Sequence, residues 1–259
     1  MYQVDPNQLT SAFRLLFDPT GPASNRCFSV LAGANAGKVM ADDVHHPTWG
    51  IVWEADDGTM YLGGALNSQV VNHAITVLRE EGNVLFGFWD RDPLGSIHLP
   101  NPDAAARVLE FDRPLDVGDL EPYLDRLPAG QEMHRMDLAL LEASPHHDAT
   151  VCRYGSIERF LEKGVAVCLM RGHETLCEAY ADASVNGVRE IGVTTQERYR
   201  GQGLATITCA HLIRICAELG DRTYWNCAKH NAASAAVARK LGFRNEKEYQ
   251  LIAWFKSKS

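Results

Sequence analysis

The chain has 259 residues, 46% of them hydrophobic, enough for one large domain or two ordinary ones with packed cores. Its net charge of −8 is uneven: residues 1–135 hold 19 Asp and Glu against 9 Lys and Arg, a balance of −10, and residues 136–259 hold 14 against 16, a balance of +2. An acidic first half is a poor footprint for nucleic acid, and a mildly basic second half suits an anionic ligand. No run of about eighteen apolar residues occurs, and the start MYQVDPNQLT lacks a basic segment followed by an apolar one, so neither a membrane span nor a signal peptide is expected.

Seven cysteines, an odd number without a CxxC pair, fit a reducing, cytoplasmic setting rather than a disulfide framework. His45-His46 and His146-His147-Asp148 offer metal-ligand chemistry, but no second cluster completes a known spacing, so no metal is expected.

In chain order, the first half alternates helix and strand signals. A helix is predicted near residues 7–17, strands over Trp49–Glu54 and Thr59–Leu62, a helix near 68–81, and a strand over Val84–Phe88. Gly33 to Lys38 imitates a phosphate-binding P-loop but has one residue too few between glycines, and Val39 stands where Ser or Thr should hold magnesium. Pro93, Pro100, Pro102, Pro114, Pro122 and Pro128 read as a connecting region, which places a domain boundary near residue 135.

The second half is more legible. Ile157, Phe160 and Leu161 form the apolar side of a short helix, and Gly164–Met170 is a strand. Residues 174–182 and 188–194 supply two more strands, separated by the turn dipeptide Asn186-Gly187. Leu204, Ile207, Leu212, Ile215 and Leu219 share one face of a helix that Gly220 can close in a left-handed conformation. A strand over Thr223–Ala228, a helix over Asn231–Leu241 ended by Gly242, and a strand over Tyr249–Phe255 complete an α/β pattern with a mixed sheet.

Chemistry concentrates between the strand ending at Val193 and the next helix, where Arg198, Arg200, Gly201, Gln202, Gly203, Leu204 and Ala205 follow one another closely. The glycines let the backbone turn so that successive N–H groups face one point at a helix N-terminus, an anion cradle to which Arg198 and Arg200 add charge. A dinucleotide fingerprint would need Gly or Ala at Thr206 and a place after the first strand of a parallel βαβ unit, whereas this loop follows a meander. No GxSxG elbow occurs.

The loop Arg198-x-x-Gly201-x-Gly203, followed by an asparagine-opened helix from Asn231 that ends in Leu241-Gly242-Phe243, resembles the two cofactor motifs of the Gcn5-related N-acetyltransferase (GNAT) superfamily. The resemblance covers residues 155–256 and implies a GNAT fold there. The whole chain, with its acidic α/β first half and Trp225 before Asn226, is similar to the two-part branch that includes zwittermicin-type self-resistance acetyltransferases; the first half would then be a degenerate GNAT-like domain supplying the acceptor-binding part.

The family mechanism implies acetyl-CoA, or another short acyl-CoA, as co-substrate. Its pantetheine arm would lie between diverging strands ending at Val193 and in Trp225–Cys227, with amides near Ile191–Val193 stabilising the oxyanion and with Asn226, Asn231 and Ser234 along the arm. Asn231 can equally be a plain N-cap. The acceptor would be a small-molecule amine, and an ammonium with pKa about 10 must lose a proton before it attacks. Glu190 is the first candidate base, with Glu178 and Asp182 behind it; Glu178, Tyr180 and Asp182 share one face of their strand. The sequence departs from the family at Ala238, where many members carry the tyrosine that protonates the leaving thiolate, so the acid is unassigned and Tyr180 is a candidate. A non-catalytic acyl-CoA sensor and a protein-modifying acetyltransferase are the competing functions. The expected assembly is a monomer or homodimer.

Overall fold

The computed structural model describes residues 2–90 and 97–257, so Pro93 lies outside the described residues. Contacts divide the chain into two compact units: Met1–Val108 with Cys152–Gly155 and Glu248–Ser259, and Leu109–Val151 with Ser156–Lys247.

The first unit holds β1 (Tyr2–Val4), α1 (Ser11–Arg14), α2 (Ser24–Leu31), β2 (Gly37–Ala41), β3 (Trp49–Glu54), β4 (Thr59–Gly64), α3 (Ser68–Leu78) and β5 (Val84–Phe88). β3 is buried along its whole length, as a near-continuous apolar run requires. β1 to β4 form an antiparallel meander, and β5 then pairs parallel to β4 after α3. The helix predicted over 7–17 is realised only as a 3₁₀ turn over Pro6–Gln8 and as α1, whose N-cap Thr10 accepts from the Phe13 amide at 3.2 Å. Neither α2 nor β2 was expected from periodicity.

β6 (Ala104–Arg113) leads into the second unit, which continues with α4 (Glu121–Leu124), β7 (Glu132–Arg135), α5 (Leu138–Glu142), α6 (His147–Tyr154), α7 (Ile157–Lys163), β8 (Val165–Arg171), β9 (Glu174–Ala181), β10 (Val188–Thr195), α8 (Leu204–Glu218), β11 (Arg222–Ala228), α9 (Ala232–Lys240) and β12 (Arg244–Trp254). From residue 248 on, β12 returns to the first unit, pairing antiparallel with β5. Strand order in the second unit is β6-β11-β10-β9-β8-β7.

The proline-punctuated stretch is not merely a connection: β6 runs through it. Pro102 precedes the strand, Pro114 follows it, and Pro122 sits in the first turn of α4, so each proline occupies an end where no ladder or helical N–H is lost. Residues 109–135 accordingly pack in the second unit.

Local chemistry explains the second unit well. Asn186 (φ 52°) and Gly187 (φ 72°) are both left-handed, as a two-residue turn of type I′ demands, and they join β9 to β10. Helix α8 is buried on most sides, packing on β8, β9, β10 and β11 with Cys209, Leu212, Ile213 and Cys216 in the core; Gly220 (φ 83°) closes it. Fully buried aliphatic side chains contribute about 1.5–3 kcal/mol each.

Gly242 (φ 78°) ends α9, and a Cβ there would strike the Asp119 carboxylate. That carboxylate pairs with Arg113, which is 1% exposed and donates from Nε to the Leu241 carbonyl at 2.7 Å and from Nη1 to the Pro114 carbonyl at 3.0 Å. Arg113→Ala should therefore cost ~3 kcal/mol or more in denaturant unfolding, since it strands a helix-end carbonyl and a charge. A loss below about 1 kcal/mol would show that water replaces the guanidinium.

Candidate active site

The parallel pair β10–β11 is registered at Val188–Arg222, Arg189–Thr223 and Glu190–Tyr224, and pairing stops there although both strands run on. The Arg222 amide donates to the Gly187 carbonyl (2.9 Å) and the Asp182 amide to the Glu190 carbonyl (2.9 Å), so alternation turns the backbone groups of Ile191 and Val193 toward β11. Past the last rung, the Val193 N–H and C=O face an opening between strands.

At the far end of that opening Gly201 (φ 76°) and Gly203 (φ 80°) are left-handed and exposed, with nothing within 4 Å of where a Cβ would stand. Gly203 is the N-cap of α8 and no side chain caps the helix. The first bonded amides are those of Thr206 and Ile207, both to the Gly203 carbonyl (3.1 and 3.3 Å), which leaves the Leu204 and Ala205 amides available to a ligand.

A cavity of about 570 Å³ joins these features, within the usual range for a small-molecule site. It gathers Val193, Arg200, Gly201, Gly203, Leu204, Ala205, Asn231 and Ser234 from the expected residues, and adds Thr194, Tyr199 and Lys240. Arg200 and Lys240 are its charged residues. Asn231 is indeed the N-cap of α9, accepting from the Ser234 amide at 3.1 Å, and it also lines the cavity. The Ser234 hydroxyl accepts from the buried Trp225 indole at 3.0 Å. Free amides at a helix N-terminus with two cations nearby fit a pyrophosphate.

Other expected residues stand apart from the cavity. Arg198 ion-pairs with Glu174 beside the Tyr199 ring, its side chain 66% exposed, and the Tyr199 hydroxyl donates to the same carboxylate at 2.9 Å. Gln202 is exposed and Ile191 is buried in the core under α8. The Asn226 side chain donates to the Tyr224 hydroxyl at 3.3 Å. Ala238 is fully buried in the core.

The sheet face opposite α8 carries the candidate acid–base groups. Register places Glu178 across from Thr194 and Tyr180 across from Gly192, with Glu190 beside Tyr224. The Tyr180 ring lies on Gly192, whose missing Cβ would stand 2.5 Å from the phenol oxygen. Glu190, Glu178 and Asp182 are all buried. Glu178 accepts from Ser144 at 2.6 Å, and the Tyr224 hydroxyl donates to buried Glu110 at 2.8 Å.

His146, noticed in the sequence only as metal-ligand chemistry, instead meets Thr194 Oγ1 through Nε2 (2.8 Å), its ring 5.8 Å from that of Tyr180. His45 and His46 both donate amides to Asp43 in a tight turn (2.7 Å each). Among the described residues no three His, Cys, Asp or Glu side chains come together as a metal site, and no helix is long and apolar enough to cross a membrane.

Comparison with known proteins agrees with this architecture. A solved GCN5-related N-acetyltransferase-like protein from Streptococcus suis 89/1591 superposes with a TM-score of 0.70 at 22% identity, over 96% of this chain and 98% of that one. A tandem GNAT protein from the clavulanic acid biosynthesis pathway superposes with a TM-score of 0.63 at 11% identity, over 98% and 94%. Both likenesses show the fold, a two-part GNAT. In sequence the chain is 29% identical over 128 residues, 49% of each chain, to an uncharacterized N-acetyltransferase, YdfB, of Bacillus subtilis (strain 168), so it spans about half the length of that curated relative. The family model for GNAT acetyltransferases matches residues 16–252, and the chain therefore belongs to the GNAT acetyltransferase family.

Proposed function

We propose that the protein transfers an acetyl or other short acyl group from coenzyme A to a small-molecule amine, by direct attack within a ternary complex. The observation that carries this reading is the end of β10–β11 pairing at Glu190–Tyr224, with one cavity running from Val193, beyond that last rung, to the free amides of Leu204 and Ala205. Bound acyl-CoA would supply the activated thioester. The Leu204 and Ala205 amides, with Arg200 and Lys240, would hold the pyrophosphate, while the Val193 C=O would accept from the extended arm and its N–H would donate to the carbonyl oxygen on which charge develops. Glu190, at the last rung, takes the proton of the attacking amine; the CoA thiolate, with a thiol pKa of about 8.5, leaves without an essential acid, and Tyr180, over Gly192 on the same face, is a phenol beside that path. Asn226, Arg198 and Gln202 support the site from its edge.

Direct attack is favoured over an acyl-cysteine intermediate because the second unit's thiols are poor nucleophiles. Cys168, Cys177, Cys209, Cys216 and Cys227 are all buried, and desolvation raises each pKa, to about 12 for Cys168 and Cys216. The free, buried thiols also favour a cytoplasmic home. To the acidic residues 1–135 this proposal assigns the attraction of a cationic acceptor.

Release of CoA thiol from acetyl-CoA across a panel of small amines tests the reading. Amine-dependent release is expected, its KM rising with ionic strength as the steering field is screened. Acetyl-CoA binding with no release for any amine would favour the sensor, and release only with lysine peptides would favour a protein-modifying enzyme.

A further inference from the structure

The first unit repeats the construction of the second. In both, an antiparallel meander ends in a strand (β4, β10) that feeds a helix (α3, α8) and then a parallel strand (β5, β11). A left-handed glycine, Gly58 or Gly187, begins the pair in each, its carbonyl accepting the first cross-strand amide, from Leu85 at 2.8 Å or Arg222 at 2.9 Å. Pairing also stops early in both: β4 and β5 are registered only at Thr59–Leu85 and Met60–Phe86. Alternation from Gly58 through Met60 turns the Leu62 N–H and C=O toward β5, where no registered partner meets them.

A cavity of about 260 Å³ lies at this divergence, the volume of about nine waters at ~30 Å³ each. Phe17, Tyr61, Leu62, Leu66, Phe86 and Phe88 make its lining aromatic and aliphatic. Pro22 and Ser24 line one side, and between them Ala23 is left-handed (φ 48°), rare for a residue with a Cβ, its carbonyl held by the Tyr61 hydroxyl at 3.1 Å.

The charge pattern is opposite to that of the second unit. Among the described residues no cation lines this cavity, and the charged residue there, Asp18, already accepts from the Thr20 amide and hydroxyl at 2.8 Å each. The start of α3 carries a side-chain cap that α8 lacks: Asn67 accepts from the Val70 amide at 3.0 Å, and Ser68 Oγ accepts from the His98 amide at 2.8 Å. A pyrophosphate would find no cation among the described residues of this cavity and no glycine loop ahead of the helix, unlike the site of the second unit. What remains is a peptide edge beside an apolar pocket.

We propose that the divergence of β4 and β5 is a second ligand site, taking small uncharged molecules that join a secondary amide to a branched aliphatic or aromatic group. The amide pairs with Leu62 as an added strand would, and the apolar group fills the pocket between Phe17, Phe86 and Phe88. Every group invoked belongs to the first unit, so the site stands or falls independently of acyl transfer in the second.

Titration of the full chain with N-acetyl-L-leucinamide, by calorimetry and by amide NMR, tests this. Saturable binding with a Kd below about 1 mM is expected. The N-methylated analogue, which cannot donate to the Leu62 carbonyl, should bind about fivefold more weakly or worse. Gly203→Trp should leave this binding unchanged while removing that of CoA. No saturation by about 10 mM, equal binding of the N-methylated analogue, or loss of binding in Gly203→Trp would overturn the proposal.

Discussion

Replacing Gly203 with tryptophan should abolish acyl-CoA binding while the protein stays folded. The position is exposed and a Cβ meets nothing within 4 Å, so an indole can be accommodated without unpacking the core. The backbone there is left-handed at φ 80°, which costs any residue with a Cβ roughly 1–2 kcal/mol, a loss a folded domain can bear. The indole would stand before the Leu204 and Ala205 amides, in the space a pyrophosphate needs. Gly203→Ala separates the two effects, since it carries the strain without the bulk and should keep most of the affinity. Calorimetry with CoA reads the difference: undiminished affinity in a folded Gly203→Trp protein would remove this loop from the site.

The second large effect concerns proton transfer. Glu190→Gln should lower kcat by about 10²-fold or more, because the carboxylate at the last β10–β11 rung is the proposed acceptor of the amine's proton. Deprotonation of the amine then governs the wild-type profile, and kcat/KM should rise along one basic limb to a plateau. A descending limb that Tyr180→Phe abolishes would identify the phenol as an essential acid. Gly192→Ala offers a second route to the same group, since the new methyl would displace the Tyr180 ring from the sheet. Ala238→Tyr should not restore an acid: the position is fully buried, so a phenol would overpack the core by about 1–3 kcal/mol or more. Full activity in Glu190→Gln would return that residue to a structural role.

What the sequence reveals depends on distance along the chain. The loop from Arg198 to Ala205, the turn at Asn186-Gly187 and the stop at Gly242 are local, and glycine or asparagine is required at each by its left-handed backbone, so all three are readable from residue type alone. The polar face opposite α8 is not local. Glu110 meets Tyr224 across 114 residues and His146 meets Thr194 across 48, contacts created by strand register with no short-range signal. The ion pair of Arg198 is of the same kind: its partner Glu174 lies 24 residues earlier on the strand next to β10, beyond any short-range signal. The repeat in the first unit is hidden because Asn67 and Ser68 replace the glycine-rich loop, removing the motif while keeping the strand–helix–strand geometry.

Hydrogen–deuterium exchange with and without CoA tests the central claim most directly. Protection on binding should appear at residues 191–205 and 231–237, where β10 parts from β11, α8 begins uncapped and α9 lines the cavity, with no change over 58–66 and 84–88. Protection confined to the first-unit segments, or absent from 191–205 at saturating CoA, would contradict the assignment of the acyl-CoA site to the β10–β11 opening.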